Sequence, residues 1–354
     1  MYNLTGVDGY QYRFTPDDPI YVLDILPVAT GLAATASDQT LSLFDPSSLN
    51  QGPLKTIKLD HGYGTVAKVY DSSESIICTT GENGNISVWD LRHEPLKAPA
   101  MKIQGPGIPL LSLATSFSTN SLAAGTELAN HAASILIWYF PLSPICSLFT
   151  NNPRDLRHPT SPPKQTYSDL HSDDITELTF HPFQSHILLS GSTDGLINVS
   201  DTTITDEDEV VIQAFNHGSV HHAGFISDTE VYAASHDEKF ALYDMDEQVV
   251  NKGGATLSLG DIREVVGCQY LADVVPKIDG KGAVIGAGSQ DRELFQLIHL
   301  SKGPSGWGLD TETVVGLPGG HGQELVRSFV LFDEQQVVFT GGEDGCIKAW
   351  RPGS

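Results

Sequence analysis

The 354-residue sequence has only four cysteines, Cys78, Cys146, Cys268 and Cys346, and none forms a C-x-x-C pair. That excludes a disulfide-dense scaffold and a cysteine zinc ribbon, and predicts a reducing address in the cytoplasm, the nucleus or both. No apolar run reaches the ~18 residues of a membrane span, and the opening MYNLTGVDGYQYRF lacks the basic and apolar regions of a secretory signal. Basic residues are scarce: 20 Lys and Arg face 44 Asp and Glu, a net charge of −24. Nucleic acids and anionic membranes are polyanions, so this balance argues against both as direct partners and favours a basic protein. No P-loop, G-x-S-x-G elbow or H-x-x-x-H spacing occurs. The sequence therefore assigns no catalytic, cofactor-binding or metal-binding residue.

What is present is a repeat. An apolar run, a small-residue turn holding Asp, and a second run ending in an aromatic and often an acid recur along the chain. Clear copies are ATASDQTLSLFD, CTTGENGNISVWD, LSGSTDGLINVSD, AASHDEKFALYD and TGGEDGCIKAW. Weaker ones surround Trp138 and Leu297, which makes seven units. Within each unit the apolar period is two or the run is continuous, as in strands covered on both faces. No segment sustains a 3.6-residue period, so the fold class is all-β. Thirty-four glycines and twenty prolines supply the turns.

A His opens several units, at His61, His171, His217 and His321. The turn Asp stands six positions before the aromatic at Asp38, Asp194, Asp237, Asp291 and Asp344, with Asn83 in that place in the second unit. This pattern resembles the WD-repeat (WD40) β-propeller family. The resemblance implies one domain, residues 1–354, forming a seven-bladed propeller. It implies a structural role for His61, Thr79, Asn83 and Trp89, and for His321, Thr340, Asp344 and Trp350. In each set the His bonds the turn residue and a Thr links it to the indole. His171 with Asp194 and His217 with Asp237 are expected to do the same. Ser200 replaces the aromatic of the fourth unit, and the third unit lacks the turn Asp. The last copy ends too early to hold its outer strand, so residues 1–14 are expected to supply it and close the ring. Residues 141–168 contain six prolines and read as a loop insertion. Residues 269–282 and Leu300 to Leu309 read as enlarged loops of the sixth unit.

Several residues are candidates for function. Tyr63, Glu82, Asp173, Asp174, His236 and Glu343 fall in turns and entry loops, the predicted partner-binding rim. Arg263 in IREVV and Arg327 in VRSFV are read as starting neighbouring innermost strands. That would bring the two guanidinium groups near each other, to suit either a carboxylate or peptide-carbonyl ligand or pairing with acids such as Glu264, Asp291 and Asp344. The acid run Asp206 to Glu209 lies in a loop at the opposite strand end. Trp307, among glycines, either anchors an interface or folds back on its blade. Adjacent His221 and His222 are expected on opposite strand faces, unable to share a metal. The stretch VWDLR resembles the box by which WD-repeat substrate receptors meet cullin-4 ubiquitin ligases, with Asp90 and Arg92 as its contacts. The leading expectation is a non-enzymatic adaptor or escort for a basic protein such as a ribosomal protein or histone. It is a monomeric propeller within a larger complex. A cullin-4 receptor is the alternative, and a small-molecule hydrolase a third.

Overall fold

The computed structural model describes residues 2–15, 19–93, 98–139, 162–245, 255–277 and 280–353. Its strands sort into seven four-stranded antiparallel blades, the β-propeller class expected from the repeats. Strand β1 (Tyr2–Arg13) is set aside for the last blade. Blade one holds β2 (Val22–Val28), β3 (Gly31–Ala36), β4 (Thr40–Phe44) and β5 (Lys55–Lys58). Blade two holds β6 (Val66–Asp71), β7 (Ile76–Thr80), β8 (Ile86–Asp90) and β9 (Met101–Ile103). Blade three holds β10 (Leu110–Ser116), β11 (Ser121–Thr126), β12 (Ala133–Tyr139) and β13 (Gln165–His171). Blade four holds β14 (Ile175–Phe180), β15 (Ile187–Ser192), β16 (Leu196–Asp201) and β17 (Val211–Asn216). Blade five holds β18 (Val220–Phe225), β19 (Glu230–Ser235), β20 (Lys239–Asp244) and β21 (Leu257–Asp261). Blade six holds β22 (Tyr270–Pro276), β23 (Gly282–Ser289), β24 (Leu294–Gly303) and β25 (Gly306–Pro318). Blade seven holds β26 (Val326–Phe332), β27 (Val337–Gly342) and β28 (Cys346–Pro352), completed by β1.

The burial follows from position within a blade. Second strands such as β7 and β15 are buried at every residue, because a sheet covers each face. Outer strands alternate: β5 buries Ile57 alone, and β17 turns Ile212 outward. Between second and third strands, Gly84, Gly195 and Gly345 hold φ of 69°, 95° and 72°, the left-handed region that glycine enters without steric cost.

The chain forms two compact units. One comprises residues 2–27, 31–56 and 225–353. Its core includes Val22, Phe44, Phe339 and Ile347, with Tyr12 of β1 packed 4.9 Å from Phe44 between ring centroids. The other comprises residues 28–30 and 57–224, with Tyr70, Ile76, Val88, Leu113 and Trp138 in one cluster. There, Ser112 Oγ donates to the Ile175 carbonyl at 2.7 Å and Thr176 Oγ1 to the Val220 carbonyl at 2.8 Å, tying successive innermost strands.

Strand β1 has two partners. It runs antiparallel to β28, from Leu4 opposite Pro352 to Arg13 opposite Cys346. Its first residues also pair parallel with β25, Tyr2 with Val315 and Asn3 with Gly316. Blades six and seven are thereby one hydrogen-bonded sheet of eight strands.

Four sequence expectations need correction. Most of the 141–168 insertion lies outside the described residues, but Gln165 onward is strand β13. Residues 269–282 are no loop: Tyr270–Pro276 is the innermost strand of blade six. The stretch IREVV is instead a short helix, α1 (Ile262–Val266). Asp261 caps it by accepting from the Arg263 N–H, and Gly267 ends it at φ 66°. Leu300 to Leu309 likewise extends the pairing of β24 with β25, out to Gly303 opposite Gly306.

Candidate functional site

The polar histidines lie inside blades. In blade seven the Trp350 indole N–H donates to Thr340 Oγ1 at 2.9 Å, and Thr340 bonds His321 Nε2 at 2.8 Å. His321 Nδ1 meets Asp344 at 2.5 Å. The Asp344 carboxylate can only accept, so Nδ1 carries the proton of the neutral imidazole and Nε2 accepts from the Thr340 hydroxyl. Burial lowers the His321 pKa, in keeping with a neutral ring. Burial alone would raise Asp344, but the His321 hydrogen bond and the charge of Lys348 outweigh it and hold the carboxyl well below its usual range. Blade two repeats the chain through Trp89, Thr79, His61 and Asn83, at 2.8, 2.9 and 3.3 Å. Blade four keeps His171 between Ser190 at 2.8 Å and Asp194 at 3.1 Å, without an indole. Ser200, in the indole's place, has a buried hydroxyl with no hydrogen-bond partner among the described residues. Blade five departs from the pattern. The Asp237 side chain is 79% exposed, with Lys239 at 3.9 Å, and His217 is only half-buried. Its turn, like that of blade one with Gln39, lacks the glycine of blades two, four and seven, so Glu238 takes the positive φ, 61°, and its carboxylate accepts from the Leu271 N–H.

The loops at the entry end of each blade carry the rim candidates. In the unit of residues 57–224, Tyr63 is 80% exposed, and its N–H donates to the Glu82 carboxylate at 3.1 Å. The antiparallel pairing of Val66 with Thr80 sets these two loops side by side. Asp174 accepts from the Leu128 N–H at 2.7 Å and Asp173 from the Asp174 N–H at 2.9 Å. In the other unit, His236 is exposed. Glu343 is held by Arg327, whose Nε donates at 2.9 Å.

The arginines do not form the expected pair of innermost-strand guanidiniums. Arg327 does start β26, but Arg263 sits on α1 and its guanidinium returns to Asp261 at 2.7 Å. Each is neutralised by its own acid, although not by Glu264, Asp291 or Asp344. Trp307 folds back: its indole N–H donates to Glu230 at 2.6 Å, beside Lys302 at 2.8 Å. Asp206 to Glu209 form a loop after β16, and Glu207 accepts from the Ser168 and Asp169 N–H groups in the middle of the outer strand β13. Asp90 is fully buried and grips Arg92 through Nε and Nη2 at 2.9 and 2.7 Å, while Glu74 pairs with the same guanidinium.

Sequence reasoning missed one polar group on innermost strands. Glu177 of β14 lies 3.8 Å from Lys68 of β6 and 3.7 Å from His222 of β18. Burial opposes the carboxylate, but Lys68 and His222 outweigh it and lower its pKa. His221 and His222 do not diverge: their ring centroids are 4.1 Å apart. No cluster of three or more metal-binding side chains occurs among the described residues. The signal available in the sequence was a lone acid in the apolar run ITELTF.

Comparison with known proteins accords with this architecture. A family model described as WD domain, G-beta repeat, matches residues 162–201 and 313–351. An uncharacterised WD repeat-containing protein of Saccharomyces cerevisiae is 32% identical over 231 residues, 65% of this chain and 53% of its own. The chain thus spans about half of that relative. An uncharacterised WD repeat-containing protein of Schizosaccharomyces pombe is 28% identical over 96% of this chain and 97% of its own. The WD repeat-containing protein 89 homolog of Dictyostelium discoideum is 23% identical over 65% of this chain and 56% of its own.

Proposed function

The chain is a WD40-repeat protein, and from that premise we propose that it is a non-catalytic platform for a basic protein partner. WD40 proteins are in general protein-interaction platforms. The observation that carries the charge of the partner is Tyr63, 80% exposed, with its backbone held by the Glu82 carboxylate. An exposed aromatic anchors interfaces, and an acid beside it selects for Lys and Arg. The net charge of −24 adds a field that speeds encounter with a cation and weakens with salt. A ribosomal protein or histone fits that chemistry. The ligase-receptor reading has less support, because Arg92 is already gripped by Asp90 and Glu74.

Tagged chain retrieved from lysate at two salt concentrations, with mass spectrometry of what it holds, tests the reading. A stoichiometric basic protein is expected, released as salt rises. Glu82→Lys with Asp173→Lys should slow its association strongly, and reversing Asp206 to Glu209 should do less. An acidic partner, or binding indifferent to salt and to both reversals, refutes the reading. Cullin-4 adaptor subunits in its place would support the ligase alternative.

A further inference from the structure

Where blades six and seven meet, both within one compact unit, their apolar faces separate and leave a cleft of about 770 Å³. Nearer the entry end the same two faces close on Phe295, Phe329, Val326 and Leu317. Toward the other end the same cluster continues through Val284, Val338 and Leu4, and there its surface opens into the cleft. The cleft walls are Val275 and Val284 of blade six, Leu331 and Val338 of blade seven, and Leu4 of β1. It lies at the ends of β22 and β26, where the chain turns at Lys277 and Asp333.

Two further features bear on an occupant. Tyr2 lines the cleft while 52% exposed, a large ring left on its rim. The titratable groups there are mixed. His299 lines the wall, and burial and Lys277 lower its pKa against the pull of Asp310 and Asp333. A neutral ring adds no charge to the cleft at pH 7. Among the described residues, exposed Lys277 is therefore the one cation in the lining, and exposed Asp333 stands with it. Asp310 acts from just outside, and exposed Glu334 follows Asp333 in sequence. Asp333 in the lining and Asp310 beside His299 thus flank a cleft in a chain already at −24.

We propose that this cleft receives the apolar side chains of a peptide segment whose flanking residues are basic. The volume lies in the range of sites that take a few side chains or one small ligand. A deep enclosed cavity would favour the small ligand. This one is a cleft with an aromatic rim, which suits a chain that enters, buries two apolar residues and leaves. Bases on either side of those residues meet Asp333 and Asp310. The inference rests on the basic-partner reading but assigns a surface distinct from the Tyr63 loop, so each can fail without the other.

The experiment uses the full chain and two fluorescein-labelled probes, a peptide with two adjacent leucines flanked by lysines and its counterpart with glutamates. Fluorescence anisotropy reads binding, and hydrogen exchange with and without peptide locates it. The lysine peptide should bind, protect Val330 to Val338 and the start of β1, and lose roughly tenfold in affinity in Asp333→Lys, which sets a like charge against its flanking lysines. That variant changes an exposed side chain, so folding is not at issue, and Leu331→Glu should abolish binding. Glu82→Lys with Asp173→Lys should leave peptide binding at the cleft unchanged. No binding, equal binding of the glutamate peptide, protection elsewhere, or displacement only by a small amphiphile such as decanoate each overturns the proposal. A natural basic partner that still depends on Glu82 and Asp173 would then leave the platform reading standing.

Discussion

Replacing Asp344 by alanine measures how much one blade depends on its polar chain. The carboxylate accepts from His321 Nδ1 at 2.5 Å, from the Cys346 N–H at 3.0 Å and from Lys348 at 3.0 Å. Lys348 keeps a second acceptor, the Gly320 carbonyl at 2.7 Å, so its loss is small. His321 has a fully buried side chain and, among the described residues, no other acceptor for Nδ1. A buried donor left unsatisfied costs ~1–3 kcal/mol, and losing the charge-assisted bonds adds to it, so the total is roughly 2–4 kcal/mol. Blade two supplies a natural control, since Asn83 holds His61 there. Asp344→Asn should therefore cost only about 1 kcal/mol. Urea unfolding at pH 7 and at low pH gives both quantities. The folded-state pKa of Asp344 is depressed, so its charge stabilises the fold fully above the unfolded value near ~4. That contribution is lost as pH falls from there toward the depressed value, and the gap between wild type and the Asn variant should narrow with it. An alanine variant as stable as wild type at pH 7, or a gap unchanged at pH 3, refutes the argument.

Removing residues 2–13 strips β28 of its antiparallel partner and β25 of its parallel one. Size-exclusion chromatography and calorimetry should show aggregation or loss of cooperative melting, and a monomer with unchanged melting would show that β1 is dispensable. Glu230 is 3% exposed and bonded to Lys302, Trp307 and Ser227, so Glu230→Gln should lower stability by about 1–3 kcal/mol and shift tryptophan emission to the red. Emission and melting both unchanged would mean that Trp307 is held by packing alone.

The blades were legible because their information is local and repeated. A six-residue interval from turn acid to aromatic fixes one hairpin, and the His, Thr and Trp of blades two and seven could be read off that frame. Blade five shows where the frame misleads: Asp237 occupies the right position and its turn closes as in the other copies, with Glu238 at the positive-φ place, yet its side chain is 79% exposed. Helix α1 was missed because IREVV has the composition of a strand. The signals lay at its edges, where Asp261 and Gly267 bracket five residues as N-cap and C-cap. Mistaking it for a strand displaced β22 into a presumed loop. Exposure of Tyr63 followed from its loop position, whereas the partners of Arg263, Arg92 and Trp307 depend on contacts that spacing does not encode. The cleft between blades six and seven was beyond sequence, being set by how far two faces diverge.

The double pairing of β1 also bears on when the molecule becomes complete. Arg13 meets Cys346 across nearly the whole sequence. During synthesis, β1 waits for its partners while blades one to five emerge and fold from local hairpins. Only when β25 and then β28 leave the ribosome does it find either edge. Contacts of such separation form slowly, because the loop entropy is lost before the pairing returns anything. The last step of folding is thus assigned to the two blades that β1 joins, and a nascent chain stalled before it would present unpaired strand edges to chaperones.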